Sequence, residues 1–562
     1  MHMDEETEEK IMGYALRNAI NHCGEADVNA VLGGIMSERD GLKPREIIDT
    51  VKKIVSEVNS LSGEEQKERA EKIGIELEVE SEEEDDSLPE IPNEEGQVIT
   101  RAAPNPNGPF HLGNSRAYIL SYLYAERNDG RFILRFDDTN PSSPEKSPKK
   151  KFYKWIEEDL EWLGCKPDLV IKSSDRLDVY YELAYELLED GNAYVCTCDS
   201  PEWKKMRDRK EGCPCRDLEP EENIDRWHMM QDGEYEEGEA VLRIKTDIEH
   251  KNPARRDWPA FRILKDHDHP FVSEDYTVWP LYNFASAVDD HELNVTHIFR
   301  AKEHSTNTKN QKDLYEYFDW EYPTTIHHGF LSLKGAVLST SKIRKGIQSG
   351  EYAGWDDPRL GTVRALRRRG FQPEAIEKLI RKYSVKGSNA EVSMQEFTSM
   401  NRKVVDPVAS RYFFVSDPAE IKVDGAGKKG GIELPLHPEK DGTRKLVVGK
   451  NFLVEREDLE SNRGEVIRLK GLYNIEVPEE GENCKYAGDS IIQDMPKVHW
   501  LPDSEEETMD CEVMMPSGEK TEGKVERNVL EEKIGSVLQF ERFGFVRVDG
   551  KEGLPCFYFA HK

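Results

Sequence analysis

Between Gln97 and Phe136 the sequence passes without a break through a short strand-like run (Gln97–Arg101), a loop stiffened by three prolines and two glycines, a helical stretch (Gly113–Asn128) and an apolar run (Arg131–Phe136) ending in DDTNP. Strand, rigid loop, helix, strand is how a doubly wound α/β nucleotide fold begins. In such folds the free N–H groups of the helix N-terminus attract phosphate. A second β–loop–α stretch runs from Tyr276 to Glu303, and residues 355–400 return to helical spacing with many Arg and Lys. After about Asp406 the character changes. Short β-rich runs (Lys445–Val454, Glu465–Val477, Val537–Val548, Cys556–Ala560) alternate with Gly, Asp, Pro and Asn turns, which predicts an all-β C-terminal part of barrels or sandwiches.

At 562 residues the chain exceeds a single core. Residues 4–75 read as helices: Ile11, Tyr14, Ala15 and Ile20 recur at helical spacing, as do Ile47, Ile48, Val51, Ile54 and Val58, with Pro44 and Glu46 at a helix start. From Glu76 to Glu95 the sequence is Glu, Asp, Ser and Pro, a solvated tether. No run approaches the ~18 apolar residues of a membrane span, and the acidic start is no targeting peptide. Nine scattered cysteines do not make a disulfide framework, so a reducing cytosol is expected, with Cys23, Cys165, Cys484, Cys511 and Cys556 buried.

The net charge of −33 argues against a polyanionic partner until its distribution is considered. Residues 1–100 hold 10 Lys and Arg against 27 Asp and Glu, a net of −17, leaving −16 for all the rest. Between Arg364 and Lys386 eight basic residues face two acids, a local +6. Basic islands on an acidic average allow nucleic acid to dock on one face.

Two loops carry residues suited to phosphoryl chemistry. In Arg101-Ala-Ala-Pro-Asn-Pro-Asn-Gly-Pro-Phe-His111-Leu-Gly113-Asn114, Gly113 permits close approach to the backbone, and His111 can donate to charge on a phosphoryl oxygen. Some 230 residues on, after the turn Leu333-Lys-Gly-Ala336, the segment Val337-Leu-Ser-Thr-Ser341-Lys342 offers a lysine and hydroxyls that could close over a polyphosphate. Either loop alone is unremarkable as a surface turn.

In this order the two loops resemble the signatures of class I aminoacyl-tRNA synthetases, with His111-Leu-Gly113-Asn114 where that family has HIGH and Leu338-Ser-Thr-Ser341-Lys342 where it has KMSKS. The flanks PNPNGPFHLGN, RFILRFDDTNP, LYNFASAVDDHELNVTHIFRAKEH and GEYAGWDDPRLGTVRALRRRG are similar to glutamyl-tRNA synthetases of the archaeal type. The resemblance implies a multidomain α/β plus all-β chain. Its parts are a Rossmann-like class I catalytic domain with an acceptor-arm insertion, a helical N-terminal extension and C-terminal β-barrel anticodon-binding domains. The expected boundaries are 1–75 for the extension and 76–95 for the acidic linker. The catalytic halves are 96–190 and 276–345, around an insertion at 191–275. A helical tRNA-contacting connective domain follows at 346–405, then the all-β domains at 406–562.

The implied reaction is ATP-dependent activation of L-glutamate to glutamyl-adenylate, then transfer to the terminal adenosine of tRNA(Glu). Members of that branch often charge tRNA(Gln) as well. The resemblance assigns catalysis to His111, Asn114 and Lys342, and ATP with Mg²⁺ to Asn107, Gly108, His111, Gly113, Asn114, Ser341 and Lys342. It assigns glutamate to Arg101, Asp137, Tyr282 and Arg300, two guanidiniums being suited to a buried carboxylate. Glutaminyl enzymes carry a neutral residue at the Arg300 column. Two departures stand out: Asn114 replaces the second histidine of HIGH, and Thr340 occupies the column of the catalytic lysine if the second signature is read without a gap, leaving Lys342 as its substitute.

Cys196-Thr-Cys198 and Cys213-Pro-Cys215 form C-x-C pairs fourteen residues apart, a set that can wrap one structural Zn²⁺; free structural cysteines are the alternative. Arg364–Arg369 suits tRNA backbone contacts, the β tail suits anticodon bases, and the N-terminal helices suit docking to another protein. The competing readings are a glutaminyl-tRNA synthetase and an idle, tRNA-binding relative.

Overall fold

The computed structural model describes residues 5–21, 26–28, 30–32, 35, 44–73, 87–143, 145–426, 430–492 and 495–562. Contacts divide the chain into residues 1–86 with 393–399, and residues 87–392 with 400–562. Helices Glu5–Asn21, Pro44–Asn59 and Gly63–Lys72 make up most of the described part of the first unit. Ile11, Ala15, Ile47, Val51, Ile54 and Val58 share one buried cluster, the apolar stripe that the spacing predicts. Pro44 opens the second helix, where its missing N–H is no loss. Ser62 and Glu65 cap the third reciprocally, Ser62 N–H donating at 2.8 Å and Glu65 N–H at 3.3 Å. The expected acidic linker lies outside the described residues as far as 86, and so does Cys23.

In the second unit β1 (Ile99–Ala102), β2 (Arg131–Phe136) and β3 (Leu169–Lys172) pair in parallel in that order. The chain then makes an antiparallel four-stranded sheet, β4 (Ala193–Cys196), β5 (Val241–Ile244), β6 (Pro259–Ile263) and β7 (Val278–Pro280), at the place expected for the insertion. It returns through helix Tyr282–Glu292 to the parallel pair β8 (His297–Ala301) and β9 (Thr324–His328). Thr296 joins β8 to β1. Its N–H donates to the Ile99 carbonyl and its hydroxyl accepts from the Ile99 N–H, both at 2.9 Å. The strands therefore lie in the order β3-β2-β1-β8-β9, and the connections diverge at β1 and β8, where open α/β sheets bind ligands.

Beyond Asp406 the described structure is mostly strand. One seven-stranded sheet takes its strands from 411–415 and 508–561, the other from 418–502. Each of the β-rich runs 445–454, 465–477 and 537–548 resolves into two strands with a turn. The barrel expectation holds in part only, because the strand order of both sheets is open. In the first sheet the edge strands Arg411–Tyr412 and Phe414–Val415 are separated only by the buried Phe413, so the sheet curls until its ends meet there without pairing. Among the described residues no helix is long and apolar enough to cross a membrane. Cys165, Cys484 and Cys511 are buried as expected; Cys556 is only half-buried, near the surface at the start of the last strand.

Candidate active site

His111 is the N-cap of helix Leu112–Arg127 in a reciprocal capping box. Its Nδ1 accepts the Asn114 N–H at 3.3 Å, while Asn114 Oδ1 accepts the His111 N–H at 2.9 Å. Burial lowers the His111 pKa to about 4, so the ring is neutral near pH 7. With Nδ1 accepting, the proton sits on Nε2 and is free to be donated. The helix itself is fixed by Arg116, fully buried, which donates to the carbonyls of Gly329, Tyr383, Ser384 and Lys386 at 2.7–3.1 Å. Gly113 backs onto the Leu331 carbonyl, which a Cβ would approach to 3.0 Å.

The two signature loops are stitched together by a segment between them and the basic helix. The Leu112 N–H donates to the Gly361 carbonyl and the Val363 N–H to the Phe110 carbonyl, while the Gly361 N–H donates to Val337. Leu360–Val363 is thus a strap with one edge on each signature. Two further contacts tie them directly. Arg344 donates to the Asn107 carbonyl, and Gly108 lies so close to the Thr340 methyl that a Cβ would come within 2.6 Å of it. Thr340, the first residue of helix Thr340–Gln348, is a packing residue here. Ser341 and Lys342 are exposed on the same turn, with Ser341 Oγ 3.2 Å from Ser339 Oγ. Ile343 anchors the helix in a cluster with Phe152, Trp355 and Leu360.

Arg101, Arg135 and Arg300 each hold the penultimate position of a strand, on the adjacent β1, β2 and β8. All three are buried and need partners. Arg101 pairs with Asp290 at 3.0 Å. Arg135 pairs with Asp290 and Asp137, both at 2.7 Å, and lies 3.7 Å from Asp289, which in turn holds Arg176 at 2.7 Å. Burial opposes the charge on Asp290, but Arg101 and Arg135 outweigh it and hold that carboxyl below its usual range. Asp137 shows the opposite balance: burial raises its pKa against the pull of Arg135.

Arg300 is different. One of its nitrogens donates to Gln311 Oε1 at 2.8 Å and to Thr308 Oγ1 at 3.2 Å, both uncharged. Its Nε and second Nη are buried with no partner, as is Asp137 Oδ2. An unpaired guanidinium edge and an unpaired carboxylate oxygen suit a ligand that bears an anion and a cation. In this network four guanidiniums (Arg101, Arg135, Arg176, Arg300) stand against three carboxylates (Asp137, Asp289, Asp290), leaving one positive charge. Asp137 and Tyr282 line a cavity of about 580 Å³, with Asn105, Asn283 and Asn310 offering unpartnered side-chain oxygens. Tyr282 lies 5.9 Å from the His304 ring, whose pKa is lowered to about 4 by burial and by Arg300 and Arg101. The four residues expected to bind glutamate are therefore brought together.

The sulfurs of Cys196, Cys198, Cys213 and Cys215 all lie within 4.8 Å of one another, the closest pairs at 3.8 Å (Cys196–Cys213) and 3.7 Å (Cys198–Cys215). The edge of a tetrahedron with ~2.3 Å metal–sulfur bonds is about 3.8 Å, so the spacing fits a tetrahedral metal. None of the four is in a disulfide.

The run Arg364–Arg369 does not behave as expected for a nucleic-acid face. Arg364 pairs with Glu158 at 2.6 Å and Asp159 at 3.2 Å. Arg368 bridges Asp356 and Asp549 at 2.9 and 2.8 Å, and the buried Arg369 donates to the Ala560 carbonyl. Arg368 and Arg369 thus hold the catalytic body to the last β-sheet, while Arg364 pairs within the body. Sequence reasoning missed this, along with Arg135, Asp289 and Asp290. Their signal was present: an arginine in an apolar strand and two acids on an apolar helix must be paired if buried.

Three family models match in sequence: tRNA synthetases class I (E and Q), catalytic domain, over residues 97–407, and two anti-codon binding domains of the same class over 409–489 and 497–549. A glutamate–tRNA ligase of Pyrococcus furiosus is 51% identical over 99% of this chain and 100% of its own length. Those of Pyrococcus abyssi and Pyrococcus horikoshii are 50% and 49% identical over the same shares.

Proposed function

The chain belongs to the archaeal glutamate–tRNA ligases, a branch of the class I tRNA synthetases for glutamate and glutamine, and from that membership we propose how its residues divide the reaction. One observation supports glutamate above all: the surplus positive charge centred on the unpaired edge of Arg300. L-glutamate brings one net negative charge to that network, whereas glutamine brings none. In this reading Arg300, with Arg101 behind it, receives the side-chain carboxylate, Asp137 Oδ2 receives the ammonium, and Tyr282 closes the pocket. A glutaminyl enzyme would leave a buried guanidinium facing an amide.

ATP lies along the first signature, beside Asn107, Gly108 and Gly113 at the N-terminus of helix Leu112–Arg127. The glutamate α-carboxylate attacks the α-phosphorus, the bond to the β-phosphate oxygen breaks, and pyrophosphate leaves with its electron pair. His111 Nε2–H, the Asn114 amide and Lys342 stabilise the charge gathered on the phosphoryl oxygens. Mg²⁺ bound with ATP supplies further neutralisation of the polyphosphate. A hydroxyl of the terminal tRNA adenosine then takes the glutamyl group from the adenylate, releasing AMP. The seven-stranded sheets, read as coiled half-barrels, receive the anticodon. The four cysteines hold zinc, which braces the insertion against the acceptor arm, and the free thiols suit a reducing cytoplasm.

ATP–pyrophosphate exchange with glutamate and with glutamine, run with and without tRNA(Glu) and tRNA(Gln), tests this. Glutamate-dependent exchange is expected. A preference for glutamine would replace the reading with a glutaminyl one, and no exchange with either would make the chain an idle relative.

A further inference from the structure

Arg300 is fixed without being neutralised, and we propose that Gln311 is the positioning residue that does this, setting the preference for glutamate over glutamine by leaving the Arg300 charge to the substrate. The inference rests on the reading of Arg300 as the carboxylate-binding group.

Arg101 and Arg135 are held by carboxylates, Asp290 and Asp137. Arg300 is held by Gln311 Oε1 at 2.8 Å and Thr308 Oγ1 at 3.2 Å, and among the described residues no carboxylate lies within 4.0 Å of it. Gln311 is fully buried, and its Oε1 also accepts the Tyr322 hydroxyl at 3.1 Å. Two donors converging on one atom fix the amide orientation, since a flipped amide would set its own N–H groups against Arg300. Thr308 is fixed similarly: its hydroxyl donates to the His304 carbonyl at 3.2 Å and so accepts from Arg300 and from His327 Nε2 at 3.0 Å. Burial, with Arg300 and Lys312, lowers the His327 pKa, so that ring is a neutral donor.

A glutamate at position 311 would have the same shape and the same reach. It would also pair with Arg300 and bring the network to four carboxylates against four guanidiniums. The substrate carboxylate would then meet a cancelled charge. The hydrogen bond of Gln311 holds Arg300 in place, and its neutrality leaves the charge that separates the two amino acids.

The test is the kinetics of tRNA-supported pyrophosphate exchange with glutamate and glutamine for Gln311→Glu, Gln311→Met and Tyr322→Phe, with Gln311→Glu repeated in an Arg300→Gln background and thermal melts on each protein. Gln311→Glu should lower kcat/KM for glutamate on the order of 100-fold, through KM, and leave glutamine within a few-fold. Gln311→Met should cost roughly 10-fold, because position is lost but charge is kept. In the Arg300→Gln background Gln311→Glu should add nothing for glutamate. Retained preference in Gln311→Glu, or an equal fall for both amino acids through kcat, overturns the proposal. Tyr322→Phe loosens Gln311 without adding charge and should raise the glutamate KM several-fold at unchanged kcat; no rise there overturns it even if Gln311→Glu fails to fold. If Arg300→Gln alone keeps the wild-type preference, the reading of Arg300 has failed, whatever Gln311 does.

Discussion

Because its Nδ1 is occupied by the Asn114 N–H, His111 keeps its Nε2–H free to donate without adding charge, and in the proposed reaction Lys342 is the cation beside it. His111→Ala and Lys342→Ala should each slow adenylate formation by ~2.7–4 kcal/mol, on the order of 100–1000-fold, with tRNA affinity little changed. Single-turnover activation measures this; a wild-type rate in the Lys342 variant would move the role to another group. Protonation gives a second expectation. Burial lowers His111, His304 and His328 to about 4, below an ordinary ~6.5. Their stabilising effect is therefore present above about pH 6.5 and is lost as the pH falls toward 4, since the unfolded chain takes the proton first. Replacing His328 by Asn should flatten the fall of the urea midpoint between pH 6.5 and 4.5; an unchanged slope would contradict its assigned burial. The two signature loops, which the structure brings together, were legible because they are short local motifs. Gln311 was not, since an uncharged side chain on a helix looks like any solvent-facing glutamine until β8 brings Arg300 against it.

At the scale of elements, the strap Leu360–Val363 explains how two loops 230 residues apart come together: each donates to, or accepts from, the same four residues. Both loops stand out in the sequence, but their pairing depends on a chain reversal that no local pattern encodes. The cysteine segment was legible as a set because its four thiols lie within twenty residues. Elemental analysis should find one zinc per chain, and Cys196→Ser or Cys213→Ser should release it and impair tRNA charging more than ATP binding. A metal-free, fully active protein would make the thiols structural. The arginine run was ambiguous at this scale for a simple reason: basic residues at helical spacing look alike whether they face phosphate or, as with Arg364 and Arg368, carboxylates elsewhere in the chain.

Across the second unit, a two-stranded ribbon, Gly431–Pro435 with Thr443–Val447, is joined to the sheet from 411–415 and 508–561 by a buried pair, Arg444 to Glu526 at 2.8 Å, with Glu526 also accepting the Phe413 N–H at 2.7 Å. Arg444→Leu alone should destabilise by ~3–5 kcal/mol, because it strands a buried carboxylate, whereas Arg444→Leu with Glu526→Leu should cost markedly less. Denaturant melts of the two proteins check this, and equal losses would mean the pair is not the junction's main charge interaction. The α/β and all-β halves were legible from periodicity alone, but not which strands share a sheet. The sheet made from 411–415 and 508–561 encloses in sequence the whole of the sheet made from 418–502. That nesting has a consequence during synthesis. The inner sheet is complete as soon as residue 502 emerges from the ribosome, whereas the outer one holds two short strands waiting for partners more than a hundred residues later. Its segment Cys556–His561 lies between two other strands rather than at an edge, so until those six residues are free the outer sheet is split in two. Nascent chains stalled a few residues short of that strand should expose the apolar cluster around Phe414 and Phe540 to chaperones, while the inner sheet beside it is already folded.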